Sequence, residues 1–252
     1  MSNPTFSIVT SFNKRIYENK CQDIFECMKD EYPQIPFHAY HENRYEKKKF
    51  DRQITFPHSW KNLILHDLSE VQPRMEEFIY GAGNPFEKAT GYWNTNAKFW
   101  VRKVFAIQHC IHVCKTDYMI WVDADAKFKK SLDEEFLTWL SGYDVAFIKR
   151  FWALANDAVE TGFICFKVTD RTKKFADDFL NYYLSKEFTQ QFRWDDSHGF
   201  TVMAQKAENQ DVAQGLFANA HLEEDFNNKS PFDIYDYIHH HKGPLVSVRS
   251  QE

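Results

Sequence analysis

Two aspartates, Asp123 and Asp125, stand directly after the apolar run Tyr118–Val122, with one alanine between them. In an extended segment, residues two apart point to the same side. Both carboxylates would then meet at one spot just past the end of a buried strand. Adjacent carboxylates repel unless a cation lies between them or one keeps its proton. Hard divalent cations take oxygen ligands, and Mg²⁺ or Mn²⁺ commonly combine one or two carboxylates with substrate phosphates. The spacing points to a metal that grips a diphosphate. A solvated turn after a strand explains D-x-D spacing equally well.

Three other groups strengthen the metal reading. His239, His240 and His241 precede Lys242 and Gly243 near the C-terminus. An imidazole can supply a nitrogen ligand, and a lysine beside a glycine can meet phosphate oxygens; a polar tail is the plainer alternative. Glu160 stands at the mouth of the apolar stretch "TGFICF", and Asp195, Asp196 and His198 cluster within "RWDDSHGF". Ordinary capping or surface roles compete for each of these carboxylates. Cys110 and Cys114, with His109 and His112 nearby, lack a second ligand pair at finger-like spacing and read as core residues.

These side chains need rigid mounts. "FSIVTSF" (6–12), "PFHAYHE" (36–42), "YMIWV", "DVAFIKR" and "TGFICFKV" read as strands. "YMIWV" has the composition of a central parallel strand covered on both faces. Residues 96–115 form the clearest helix, with Trp100, Val104, Ile107, Ile111 and Cys114 recurring at steps of three and four. "CQDIFECMKDEY" and "TKKFADDFLNYYLSKEF" have helical patterns. "SLDEEFLTWL" predicts a helix capped by Ser131 with Glu134 completing a capping box. Residues 43–92 read as loops with a short helix near Arg74–Tyr80. Alternating strands and helices predict one α/β domain over 1–252.

Composition narrows the function. A net charge of -5 argues against non-specific nucleic-acid binding. No apolar run approaches the ~20 residues of a membrane span, and the N-terminal segment lacks the pattern of a secretory signal. Five cysteines without a regular framework predict reduced thiols and a cytoplasmic location.

As an ordered set, "FSIVTSF", "KFWVRKVFAI", "WVDADAKF", "ETGFICF" and "HHHKG" resemble glycosyltransferases of the GT-A fold, a Rossmann-like architecture with a mostly parallel central sheet flanked by helices. The resemblance implies an EC 2.4 enzyme that moves a hexosyl-type sugar from a nucleotide donor, most often a UDP-sugar, to a glycan or other hydroxyl acceptor with Mn²⁺ or Mg²⁺. It implies Asp125 as a direct metal ligand, Asp123 on the ribose or on the metal through water, and His240 completing the shell, with His239 or His241 as alternatives. Lys242 and Gly243 would meet the diphosphate, and Thr10, Ser11 and Phe12 the nucleotide. Arg102 and Lys103 could approach the donor or form a solvent-exposed pair. The candidates for the acceptor's base are Asp196, Asp195 and Glu160, in that order; in a retaining enzyme they would bind sugar hydroxyls instead. The competing readings are a nucleotide-sugar-binding protein of the same fold without turnover and a D-x-D phosphatase. Lys127 stands where the latter's pattern wants Thr or Val.

Overall fold

A computed structural model describes residues 4–42, 60–129, 132–149, 159–217 and 237–240. In chain order the strands are β1 Phe6–Phe12, β2 Phe37–His41, β3 Leu63–Asp67, β4 Tyr118–Val122, β5 Ala126–Phe128, β6 Val145–Lys149, β7 Val159–Lys167, β8 Ala213–Phe217 and β9 Ile238–His240. The helices are α1 Lys14–Asn19, α2 Gln22–Asp30, α3 Leu68–Val71, α4 Pro73–Tyr80, α5 Tyr92–Val113, α6 Glu134–Leu140, α7 Asp170–Leu184 and α8 Asp196–Gln205.

Seven strands make one sheet in the order β3-β2-β1-β4-β7-β6-β8, and β5 pairs with β9 apart from it. The sheet is mostly parallel, as expected: β7 alone among the described strands runs against both its neighbours, β4 and β6. The expectation for "YMIWV" therefore holds on one side only. β4 is parallel to β1 and antiparallel to β7.

Side chains alternate between the two faces of the sheet. Val9, Trp121, Ile164 and Phe166 pack with α5, α7 and α8. Ile8, Ile120, Phe163 and Cys165 pack with α2 and α6. Both faces are covered, which is why these strands read as apolar runs rather than alternating ones.

The chain steps outward from β1 through β2 to β3, then returns through α5 to place β4 on the other side of β1. That reversal opens a crevice at the C-terminal ends of β1 and β4, the place where open α/β sheets take ligands. Helix α5 runs back along the sheet into β4. Its 22 residues span about 33 Å, against about 17 Å for a five-residue strand. Its N-terminal turns therefore overhang the crevice.

Several expected elements change. α5 begins at Tyr92 rather than Asn96. α6 is capped by Asp133, which accepts from the Phe136 N–H at 2.8 Å. Ser131 lies outside the described residues. Leu132 stays out of the helix because it is buried and its N–H donates to the Tyr32 hydroxyl. Within the expected loop region, residues 63–67 form β3 and residues 68–71 form α3. The five cysteines are free. Among the described residues no helix is long and apolar enough to cross a membrane.

Candidate active site

The long helix carries the central group. Lys103, buried in the fourth turn of α5, reaches across to β4 and α8. Its Nζ lies 2.7 Å from Asp123 Oδ1 and 2.6 Å from Asp196 Oδ2. It also donates to the Thr161 carbonyl at 3.0 Å and to the Thr161 hydroxyl at 3.2 Å. Burial alone would lower the lysine's pKa, but the two carboxylates outweigh it and hold the value raised. The ammonium is thus fixed as a cation.

Asp123 is held further by a 2.9 Å hydrogen bond from Trp121 Nε1. Its N–H donates to the Gly162 carbonyl across the β4–β7 pair. The backbone after Asp123 departs from the extended form expected for D-x-D: the Ala126 N–H donates to the Asp123 carbonyl at 2.9 Å, closing a turn. The period-two argument fails there for that reason. The two carboxylates meet different lysines, Asp123 meeting Lys103 and Asp125 meeting Lys20 at 3.2 Å. The Asp125 side chain is 23% exposed and the Lys20 side chain 44%, so this second pair faces solvent and is weak.

The turn feeds into β5, which pairs antiparallel with β9 and places His240 opposite Ala126 and His239 opposite Lys127. The backbone of the histidine run thereby lies one residue from Asp125. Tyr237 anchors this ribbon: its ring stacks on Phe136 at 4.3 Å and its hydroxyl donates to Asp133 at 3.3 Å. His241, Lys242 and Gly243 lie outside the described residues, and the side chains of His239 and His240 are not described. Among the described residues no three His, Cys, Asp or Glu form a metal-holding group. The residues present nevertheless suit a hard cation. Two carboxylates bridged by Lys103 lie beside a partly exposed aspartate, with a histidine-bearing strand adjoining them.

Asp195 and Asp196 open α8. The Thr161 hydroxyl donates to Asp196 Oδ2 at 2.7 Å and lies 2.9 Å from the Ser197 hydroxyl. Asp195 takes a two-pronged contact from Arg193, at 2.8 Å through Nε and 2.7 Å through a terminal nitrogen. Burial raises its pKa, and Arg193 pulls it part of the way back. Glu160 is buried at the start of β7 and accepts from the Gly162 N–H at 3.3 Å. His198 is buried beneath Phe192, ring centroids 4.8 Å apart.

Arg102 turns away from this cluster. It is buried, not solvent-exposed, and pairs with Glu42 at 3.0 Å while donating to the Tyr80 hydroxyl. On β1, Thr10 and Phe12 are buried. The Phe12 ring packs in the core against Tyr17 and Phe25, so this residue offers the crevice its backbone. The Thr10 hydroxyl is buried without a hydrogen-bond partner among the described residues. His109 bonds the Tyr40 hydroxyl at 2.7 Å and His112 bonds Asp177 at 2.9 Å, so neither turns toward the other with the cysteines.

Sequence reasoning missed Thr161, Ser197, Trp121, Lys20 and Glu42. Thr161 and Ser197 carried a usable signal, since each adjoins a candidate carboxylate. Trp121 also carried one, standing two residues before Asp123; Lys20 and Glu42 meet partners far away in the chain, which no local pattern displays.

Neither a family sequence model nor any curated protein matches the chain. Its fold does match solved structures. Mouse xyloside xylosyltransferase 1 aligns with a TM-score of 0.51 at 12% identity, over 83% of this chain and 84% of that one. An active-site mutant of LgtC aligns with a TM-score of 0.51 at 11% identity, over 78% of this chain and 70% of that one. The chain has the GT-A fold of nucleotide-sugar glycosyltransferases.

Proposed function

We propose that the chain is a metal-dependent glycosyltransferase that moves a sugar from a UDP-sugar to an acceptor hydroxyl, built as one domain over 1–252 and working in the cytoplasm. The observation that carries this reading is the buried Lys103–Asp123–Asp196 cluster at the topological switch point. Its free cysteines suit a reducing compartment.

Thr10, Ser11 and the Phe12 backbone border the nucleotide side of the crevice. Asp125, with Asp123 directly or through water, and His240 would hold Mn²⁺ or Mg²⁺, which when bound supplies charge stabilisation for the leaving diphosphate. Lys242 and Gly243 follow His240 in the chain and are assigned to the same phosphates. Lys103 holds the Asp123 and Asp196 carboxylates in position through two ion pairs, so they need no reorganisation as charge develops.

Asp196 was the first candidate for the acceptor's base. Its Oδ2 is engaged by a lysine and a threonine hydroxyl, and Asp195 is engaged by Arg193. These contacts support holding roles for both, toward Lys103 and toward sugar hydroxyls. Glu160 is the carboxylate we assign to the acceptor's proton, in keeping with its place at the mouth of β7.

The test is release of UDP from UDP-glucose, UDP-galactose, UDP-xylose and UDP-N-acetylglucosamine in the presence of Mn²⁺. The reading predicts turnover of at least one donor, abolished by EDTA and restored by added Mn²⁺. No UDP release from any of the four, or release indifferent to EDTA, contradicts it.

A further inference from the structure

The overhanging start of α5 carries an unusual surface. Tyr92 is 66% exposed, Trp93 45% and Phe99 49%. Their rings are not scattered. Tyr92 and Trp93 centroids lie 5.3 Å apart, Trp93 and Trp100 5.6 Å, and Tyr92 and Trp100 6.0 Å. Rings held against one another in this way lose little conformational freedom when a ligand lies on them.

The direction of this surface is fixed by helical periodicity. Residues three and four apart share a helix face, so Tyr92, Phe99 and Lys103 lie on one stripe, with Trp93 and Trp100 about a quarter-turn round the helix from it. Lys103 on that stripe meets β4 and β7 through Asp123 and Thr161. The same face at Tyr92–Trp100 projects past the strand ends, where the described sheet offers it nothing to pack on. Tyr92 and Phe99 therefore lie on the crevice side of α5, and the ring contacts from Tyr92 carry the aromatic surface round to Trp93 and Trp100. Eleven residues at 1.5 Å rise separate Tyr92 from Lys103, about 16 Å.

A second contact ties the rings to the site. The Arg193 guanidinium stacks over Trp93 at 4.2 Å and grips Asp195 with two nitrogens. Asp195 adjoins Asp196 of the cluster. The platform thus borders the α8 side of the crevice, whereas the nucleotide side is bordered by β1. A ligand lying on it meets flat apolar faces with a fixed cation at the rim. That chemistry suits a carbohydrate, whose C–H faces pack on rings while its hydroxyls bond polar groups.

Resting on the transferase reading above, we propose that Tyr92, Trp93 and Trp100 form the stacking platform for the acceptor, and that the acceptor is a neutral oligosaccharide rather than a single sugar. The platform's span away from Lys103 is too long for one ring next to the donor. One end of the oligosaccharide is delivered to the carboxylate cluster while its body lies along α5.

The test uses saturation-transfer NMR with irradiation of the aromatic protons. The probes are cellohexaose, maltohexaose, xylohexaose and chitohexaose, each added to the full chain. At least one is expected to show transfer to its C–H protons. Calorimetry on that probe should show affinity falling at least about tenfold in Trp93→Ala or Trp100→Ala. UDP affinity with Mn²⁺, measured on the same samples, should stay within about twofold, which also shows that the variants are folded. The proposal is overturned if no hexasaccharide receives saturation, or if both variants bind it as tightly as the native chain. A dimer in sedimentation equilibrium that Trp93→Ala dissolves also overturns it, since a second copy would then cover the rings. Should UDP fail to bind while hexasaccharide binding depends on Trp93, the platform stands and the transferase reading falls.

Discussion

Lys103 is the residue on which the site depends, because among the described residues it alone bridges the end of β4 and α8 through charge. Removing one partner of a buried ion pair is far more damaging than never having built it. Lys103→Met leaves Asp123 and Asp196 facing each other in a buried space without their shared cation. Urea unfolding should show a loss of roughly 3–5 kcal/mol. A loss below about 1 kcal/mol, the size of an exposed pair, would show that the contacts are not formed in solution. The sequence displayed Lys103 only as one of two basic residues near the donor. What separates it from Arg102 is direction: one faces β4 and α8, the other Glu42 and Tyr80. Neighbouring helix positions point about 100° apart, and only the packed sheet decides which of the two meets the D-x-D turn.

Among the elements, α5 sets both the site and the aromatic overhang, and its start depends on Gly91. This residue has φ +79°, in the left-handed region, and a Cβ there would meet no atom within 4 Å. Gly91→Ala therefore carries only the backbone penalty, about 1–3 kcal/mol, which thermal unfolding should register as a lowered midpoint. An unchanged midpoint would place the helix start elsewhere. The strands with buried faces were legible because burial on both sides leaves continuous apolar runs, as in "FSIVTSF" and "YMIWV". β3 was not, because its Ile64 and Leu65 are exposed and an edge strand loses that signature. The D-x-D spacing was legible but its geometry was not: its backbone turns at Asp123 instead of staying extended. The approach of the histidine strand to that turn needs a pairing across more than a hundred residues, which no local period reveals.

At the scale of the whole molecule, a histidine stack at the β2–β3 edge couples stability to pH. His38 Nδ1 lies 3.0 Å from His66 Nε2, and Tyr40 stacks on His66 at 4.4 Å. Burial lowers both histidines to about 4, and their neighbouring imidazoles add to this. In the unfolded chain they titrate near ~6.5, so the unfolded state binds more protons between these values. Stability is complete above about pH 6.5 and declines as pH falls toward 4, by ~1.4 kcal/mol per pH unit for each histidine. Thermal midpoints across that window should fall, and His66→Gln should flatten the decline; equal slopes in both proteins would remove the stack from the account. The D-x-D turn at the switch point is proposed to hold a cation for a nucleotide diphosphate, and calorimetric titration of UDP with and without Mn²⁺ reads that binding. Native protein should bind UDP with Mn²⁺ and lose at least ~100-fold in affinity without it. Asp125→Ala, altered at a partly exposed turn outside the core, should keep its thermal midpoint within a few degrees and lose the Mn²⁺ dependence. Metal-dependent UDP binding of unchanged affinity in folded Asp125→Ala would contradict the account.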